Sequence, residues 1–225
     1  MRPGRPVPCD GVDVSELGII VVLNGAPRSG KSTIARAVQE SFSGTWMNLG
    51  VDAFSEYVVP GRLGPGIGLR PGAGRPDLEA HVAVLFDALY GAVVALSRRG
   101  LGVVVDVGHH DDYSEPMGIL GRVAQGLADL PAYLVGVRCP VETVMARRDA
   151  GERGRQGRYV RSDPGGAVPE PVLRWERAVH DPGIYDLQVD TSVLTAGECA
   201  RAIRARLDDG PPTAFPELAR RSGPG

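Results

Sequence analysis

The residues Gly25-Ala26-Pro27-Arg28-Ser29-Gly30-Lys31-Ser32 fit the pattern G-x-x-x-x-G-K-S. Glycines at its first and sixth positions let main-chain amides turn inward around a chain of phosphates. A helix beginning near Lys31 adds its positive end to the same place. In such a loop Lys31 reaches the β and γ oxygens, and the Ser32 hydroxyl ligates Mg²⁺. The nucleotide-binding stretch is read as Gly25 to Thr33. A glycine-rich chain can produce this match by accident, but the lysine argues otherwise. Lys and Arg together number 25, and Lys31 is the only lysine among them. A composition that otherwise uses arginine for positive charge keeps a compact ammonium here, where a broad planar fork does not fit a tight cradle.

Two acids follow at places where a phosphate loop needs them. Asp52 stands in Gly50-Val51-Asp52, just past a short apolar segment. Facing the loop, its carboxylate can take the proton of an attacking hydroxyl. It can equally cap a helix starting at Ala53, and spacing alone leaves both readings open. Asp106 closes the run Val103-Val104-Val105. An acid ending a buried strand beside a phosphate loop holds Mg²⁺, directly or through water, with a capped turn as the plainer alternative.

Arg147, Arg148, Arg153, Arg155, Arg158 and Arg161 form a basic run. Such runs are usually solvated faces. Behind a strand and its helix, the segment is read here as a mobile lid whose arginines close over the nucleotide and offset charge on the moving phosphoryl group. His109-His110-Asp111-Asp112 has the residue types of a metal cluster. Neighbours on one loop rarely converge on an ion, and no His or Cys partner stands at finger spacing, so a solvated loop is expected, placed where it can wall a substrate pocket. Trp175 and Tyr185 read as core. Cys139 has no recognisable base beside it, so it is not read as a nucleophile.

The elements that must position these groups are strands alternating with helices. Leu17–Leu23, Trp46–Val51, Leu101–Asp106, Ala132–Arg138 and Tyr185–Val189 are read as strands. Their near-continuous apolar character predicts a sheet covered on both faces. Helices are expected at Lys31–Phe42, from Leu78 to about Arg99, and at Met117–Leu127, Val141–Asp149, Val172–Val179 and Ala196–Leu207. Pro60–Pro76 and Gly151–Pro171 read as loops. In a parallel sheet of this kind ligands sit beyond the C-terminal ends of the strands, where the motif residues fall.

Composition bounds the partners. The chain has 225 residues, a formal net charge of -2, and 31 Gly with 19 Pro. No basic surplus points to nucleic acid. No window reaches 18 uninterrupted apolar residues, so no membrane span is expected. Cys9, Cys139 and Cys199 are odd in number and lack CxxC spacing, which fits a reducing cytoplasm.

Taken together, I-I-V-V-L-N-G-A-P-R-S-G-K-S (19–32), W-M-N-L-G-V-D (46–52), V-V-V-D-V (103–107), V-G-V-R-C (135–139), A-V-H (178–180) and Y-D-L-Q-V-D-T-S (185–192) resemble the chloramphenicol phosphotransferase family of small P-loop kinases. The resemblance implies transfer of the γ-phosphoryl of ATP to a hydroxyl of an antibiotic, with Asp52 as base. It implies Lys31 and Ser32 at the phosphates and Mg²⁺, lid arginines matching best at Arg147, Arg153 and Arg155, and Asp190 and Thr191 near the adenine. The lid reads G-E-R-G-R-Q-G where the family has R-G-D-R, and Pro60–Pro76 has its own sequence.

The expected fold is α/β: a three-layer α/β/α P-loop domain over 18–207, with a mostly parallel five-stranded sheet and a mobile lid at about 150–171. Residues 1–17 and 208–225 are expected to be flexible tails. The expected activity is an ATP- and Mg²⁺-dependent O-phosphotransferase acting on a hydroxylated small molecule, an antibiotic or related secondary metabolite. A kinase of a central metabolite or nucleotide sugar is the alternative enzyme, and an ATP-binding switch the alternative of another class. Neither a nucleic acid nor a membrane is an expected partner.

Overall fold

The computed structural model describes residues 16–150 and 167–223. Strands β1 (Ile20–Asn24), β2 (Trp46–Asn48), β3 (Gly102–Val107), β4 (Ala132–Arg138) and β5 (Leu187–Asp190) form one parallel sheet in the order β2-β3-β1-β4-β5. The strands read as unbroken apolar runs because both faces are covered. Ile20 and Val22 enter the core on one side, and Val21 and Leu23 enter it on the other. Register fixes the site's floor: Leu23 pairs with Asp106 on β3 and with Val135 on β4.

Among the described residues the helices are α1 (Lys31–Ser41), α2 (Val51–Tyr57), α3 (Pro76–Ser97), α4 (Ile119–Leu127), α5 (Val141–Asp149), α6 (Glu170–Ala178), α7 (Ala196–Asp208) and α8 (Ala214–Arg221). α1 and α7 cover one face with Ile34, Val38, Cys199 and Ile203. α2, α3, α4 and α8 cover the other with Phe54, Phe86, Leu89, Val123 and Phe215. α3 starts with Pro76, and Asp77 and Glu79 lie in its first turn, where negative charge suits the helix dipole. By length and composition α3 is apolar enough to cross a bilayer, with a mean hydropathy of 1.7. Here its stripe Leu78, Val82, Phe86, Leu89 and Val93 is buried against the sheet.

Several sequence expectations change. The second strand stops at Asn48 because α2 begins at Val51, with Gly50 as its N-cap. Pro60–Pro76 contains two 3-10 turns, Gly61–Leu63 and Gly66–Gly68, anchored by buried Ile67 and Leu69. The tail expected at 208–225 instead forms α8, because Ala214, Phe215 and Leu218 give it an apolar face that packs on α4 and β4. Its start is fixed by Asp186, whose Oδ1 accepts from Thr213 N at 2.6 Å and Ala214 N at 3.2 Å and pairs with Arg206 at 3.3 Å. Cys139 and Cys199 are buried free thiols, and Cys9 lies outside the described residues.

Candidate active site

The loop between β1 and α1 turns through two left-handed residues, Arg28 (φ 74°) and Gly30 (φ 98°). Gly25 is held so closely that a Cβ there would stand 2.4 Å from the Val137 carbonyl oxygen. Lys31 Nζ folds back over this loop and donates to Gly25 O at 2.6 Å and Ala26 O at 2.8 Å. Burial lowers its pKa to about 8, opposed in part by the charges of Asp106, Asp52 and Glu176. The ammonium is thus partly desolvated and surrounded by acids, an environment that favours exchange of loop carbonyls for phosphate oxygens.

Ser32 Oγ donates to Asp106 Oδ2 at 2.5 Å. Gly50 makes room for that carboxylate: a Cβ there would lie 1.7 Å from Asp106 Oδ1. With φ at -86°, the Gly50 backbone does not itself demand glycine; the neighbouring carboxylate does. Sequence reading missed this role, for which the only signal was the glycine of G-V-D. A hydroxyl and a carboxylate are the hard oxygen donors Mg²⁺ prefers, with water and phosphate completing its shell. Among the described residues no group of three His, Cys, Asp or Glu could hold a metal, so a self-contained protein cage is not on offer.

Asp52 is the second residue of α2, behind the cap Gly50, so the helix does not start at Ala53 and Asp52 is not its N-cap. It lines the same cleft as Lys31, Ser32 and Asp106, a space of about 1400 Å³. The cleft is lined by the phosphate loop, Arg147 and the segment after β5, and also by Val51, Ser55, Ile67, Leu69 and Trp175. Trp175, expected in the core, is therefore a wall residue. Its position depends on α6 lying against the end of β3, where Gly108 meets the indole.

Arg147 also lies in the cleft wall, and protein acceptors hold its guanidinium. It donates to Thr191 O at 2.7 Å, Thr191 Oγ1 at 3.0 Å and Arg28 O at 3.3 Å. Arg28 in turn donates to Arg147 O at 2.5 Å, and Thr191 Oγ1 to Ser29 O at 2.7 Å. These bonds join α5, the phosphate loop and the turn after β5. Asp190 is turned to Ser192, accepting from its N at 2.8 Å and its Oγ at 2.7 Å, bonds that hold its carboxyl below the usual range. Thr191 lines the cleft and Asp190 does not. Arg153, Arg155, Arg158 and Arg161 lie outside the described residues.

The expected solvated loop at 109–112 is overturned. His109 is buried, stacked 4.7 Å from the Phe86 ring, with Nε2 2.7 Å from the Tyr90 hydroxyl. Phe86 and Tyr90 present one aromatic face of α3, and the imidazole completes it. Burial drives the His109 pKa down to about 3, so the ring is neutral. His110 Nε2 lies 2.9 Å from Leu69 O and so steadies a cleft wall. Asp112 accepts from Arg174 Nε and Nη2 at 2.5 and 2.6 Å, and its carbonyl accepts from Gly72 N at 2.9 Å. The cluster thus ties α6 to the 64–75 segment.

Residues 18–208 match the family described as chloramphenicol phosphotransferase-like protein. The chain belongs to this family. A Mycobacterium tuberculosis (H37Rv) relative, provisionally named an O-phosphotransferase, is 27% identical over 218 residues, 91% of this chain and 89% of its own length. Among solved structures, the M. tuberculosis APS kinase CysC in complex with AMPPNP and APS is 17% identical at a TM-score of 0.58, covering 86% of this chain and 99% of its own. Shikimate kinase from Acinetobacter baumannii, in complex with shikimate, is 16% identical at 0.53, covering 88% and 98%. The structures establish the P-loop kinase fold. Fold and family together make this chloramphenicol phosphotransferase-like chain a phosphotransferase of the kinase type.

Proposed function

We propose that this family member transfers the γ-phosphoryl group of ATP to a hydroxyl of a small molecule, an antibiotic or related secondary metabolite. The observation that carries the reading is one cleft that holds the phosphate loop, the Ser32–Asp106 pair and the Asp52 carboxylate together. The loop amides and Lys31 bind and orient the triphosphate. Mg²⁺, bound at the Ser32 hydroxyl and Asp106 carboxylate, would offset negative charge on the phosphate oxygens. Asp52 accepts the proton of the acceptor hydroxyl as its oxygen bonds to the γ-phosphorus; the bond to the bridging oxygen breaks and ADP leaves. Arg147 positions the loop through Arg28 and Thr191. No covalent enzyme intermediate is needed.

The test is incubation with ATP, Mg²⁺ and a panel of hydroxylated antibiotics and metabolites, read by mass spectrometry for a gain of about 80 Da, one transferred HPO₃. Asp52→Asn should lower kcat by about 10²–10⁴-fold while calorimetry still shows ATP binding. A normal kcat in that variant removes the base assignment. ATP bound with no product from any acceptor favours the switch. One observation supports a second reading, an anionic metabolite as acceptor: Arg70 is exposed and lines the cleft. A panel that includes shikimate separates the two.

A further inference from the structure

Beyond the phosphate loop and Asp52, the cleft wall holds further buried polar atoms, Trp175 Nε1 and Ser55 Oγ among them. Trp175 Nε1 is buried and has no hydrogen-bond partner among the described residues. Ser55 Oγ, one helical turn after Asp52, is in the same state. Both residues line the cleft. A buried donor left unpaired costs on the order of the desolvation of that group, so wall atoms of this kind are the natural partners of a ligand.

The indole nitrogen is bordered by a glycine. Gly108, two residues past Asp106, also lines the cleft. Its φ lies outside the left-handed region, so its backbone does not demand glycine. A Cβ built there would stand 3.4 Å from Trp175 Nε1 and 3.4 Å from Gly25 O. These are ordinary contacts, so the fold would tolerate a methyl. Such a methyl would stand directly against the indole nitrogen. Trp175 is itself held in place, because its neighbour Arg174 is clamped to Asp112 and its own ring meets His110 edge-on at 6.2 Å.

Resting on the transfer reading above, we propose that the Trp175 indole N–H, reached across Gly108, is the donor that orients the acceptor. It would take a hydrogen bond to a second oxygen, a carbonyl, ether, carboxylate or further hydroxyl, on the molecule being phosphorylated. The acceptor class is therefore an alcohol bearing another oxygen acceptor; a bare monofunctional alcohol does not qualify. Trp175 is a specificity-determining residue in this assignment, and Ser55 is a second polar contact beside the base.

The test uses the full chain labelled with ¹⁵N and loaded with AMPPNP and Mg²⁺. It is titrated with each compound that the mass assay shows to be phosphorylated, the starting panel including chloramphenicol and shikimate. The chain has two tryptophans. Trp46 Nε1 already donates to Ser43 O at 3.1 Å and serves as the internal control. Saturation should move the Trp175 indole N–H resonance and leave that of Trp46 in place; Trp175→Phe provides the assignment. Gly108→Ala should raise KM for the same compound about tenfold, the loss of one hydrogen bond from a buried group, with KM for ATP unchanged. A saturating, phosphorylated compound that leaves the Trp175 signal still, or a Gly108→Ala enzyme with an unchanged acceptor KM, overturns this assignment alone. Absence of transfer to every compound while ATP binds removes the proposed function and this assignment with it.

Discussion

Lys31 is the side chain on which the proposed phosphate site turns. Its ammonium rests on two loop carbonyls, Gly25 O and Ala26 O, in a space that a compact head fills. A guanidinium is planar and broad and cannot occupy that space without displacing the loop. Lys31→Arg therefore should lower the rate of phosphoryl transfer at least about 10²-fold despite keeping the charge, the scale on which a misplaced charge-stabilising group costs activity. Steady-state kinetics at saturating ATP would show it, and wild-type turnover would disprove the steric argument. Gly50 makes the complementary case. A methyl at Gly50 would overlap the Asp106 carboxylate, which must then swing away from Ser32. Gly50→Ala should raise the Mg²⁺ concentration needed for half-maximal activity, measured by titration at fixed ATP, while α2 still forms. The loop and Lys31 were legible in the sequence because their chemistry lies in adjacent residues. The contacts of Gly50, Gly108 and Trp175 were not, because each depends on an atom delivered by a distant segment.

At the scale of elements, the strands were the most readable part. Buried on both faces, they must be apolar at nearly every position, and that leaves an unbroken signal in Ile20–Leu23 and Val103–Val105. α8 left none. It spans eight residues including Pro216, within a region rich in Pro and Gly, and only Phe215 and Leu218 mark its face. What fixes it is Asp186, a side chain without solvent exposure that accepts from Thr213 and Ala214 and pairs with Arg206, itself 17% exposed. Asp186 Oδ2 also accepts from Leu134 N at 2.8 Å, so one carboxylate joins β4, α7 and α8. Removing one partner of a buried pair leaves the other charge without its counterion. Asp186→Ala should destabilise the protein by about 3–5 kcal/mol, read as a lower midpoint in urea unfolding. A midpoint shift corresponding to less than about 1 kcal/mol would mean that solvent or neighbouring groups replace the carboxylate at that junction.

For the whole molecule, the buried histidines set how stability responds to acid. His109 lies under α3, its pKa pulled down to about 3 by burial and by the nearby His110. His180 sits on the other side of Asn24, with Nδ1 2.8 Å from the Tyr185 hydroxyl, and is lowered to about 4 by burial and then by the charges of Arg138 and Lys31. Both rings are neutral in the fold, whereas in the unfolded chain each takes a proton near pH 6.5. Above that pH neither contributes to a pH dependence. Below it the unfolded state binds more protons, so the free energy of unfolding falls as pH drops, by about 1.4 kcal/mol per pH unit for each such ring. The loss continues until the folded rings themselves titrate, near 4 for His180 and near 3 for His109. Thermal unfolding should therefore show Tm nearly flat from pH 8 to 7 and falling steadily from 6.5 to 4.5, a window above the range in which ordinary carboxylates protonate. Replacing His109 and Tyr90 together by Phe removes the titrating ring along with its hydrogen-bond partner, leaving neither buried polar atom unpaired. That double variant should keep its Tm at pH 8 within a few degrees and lose part of the slope below 6.5, the rest belonging to His180 and to His110, whose pKa burial also lowers. An unchanged slope would show that His109 takes up no protons on unfolding and that the acid response lies elsewhere.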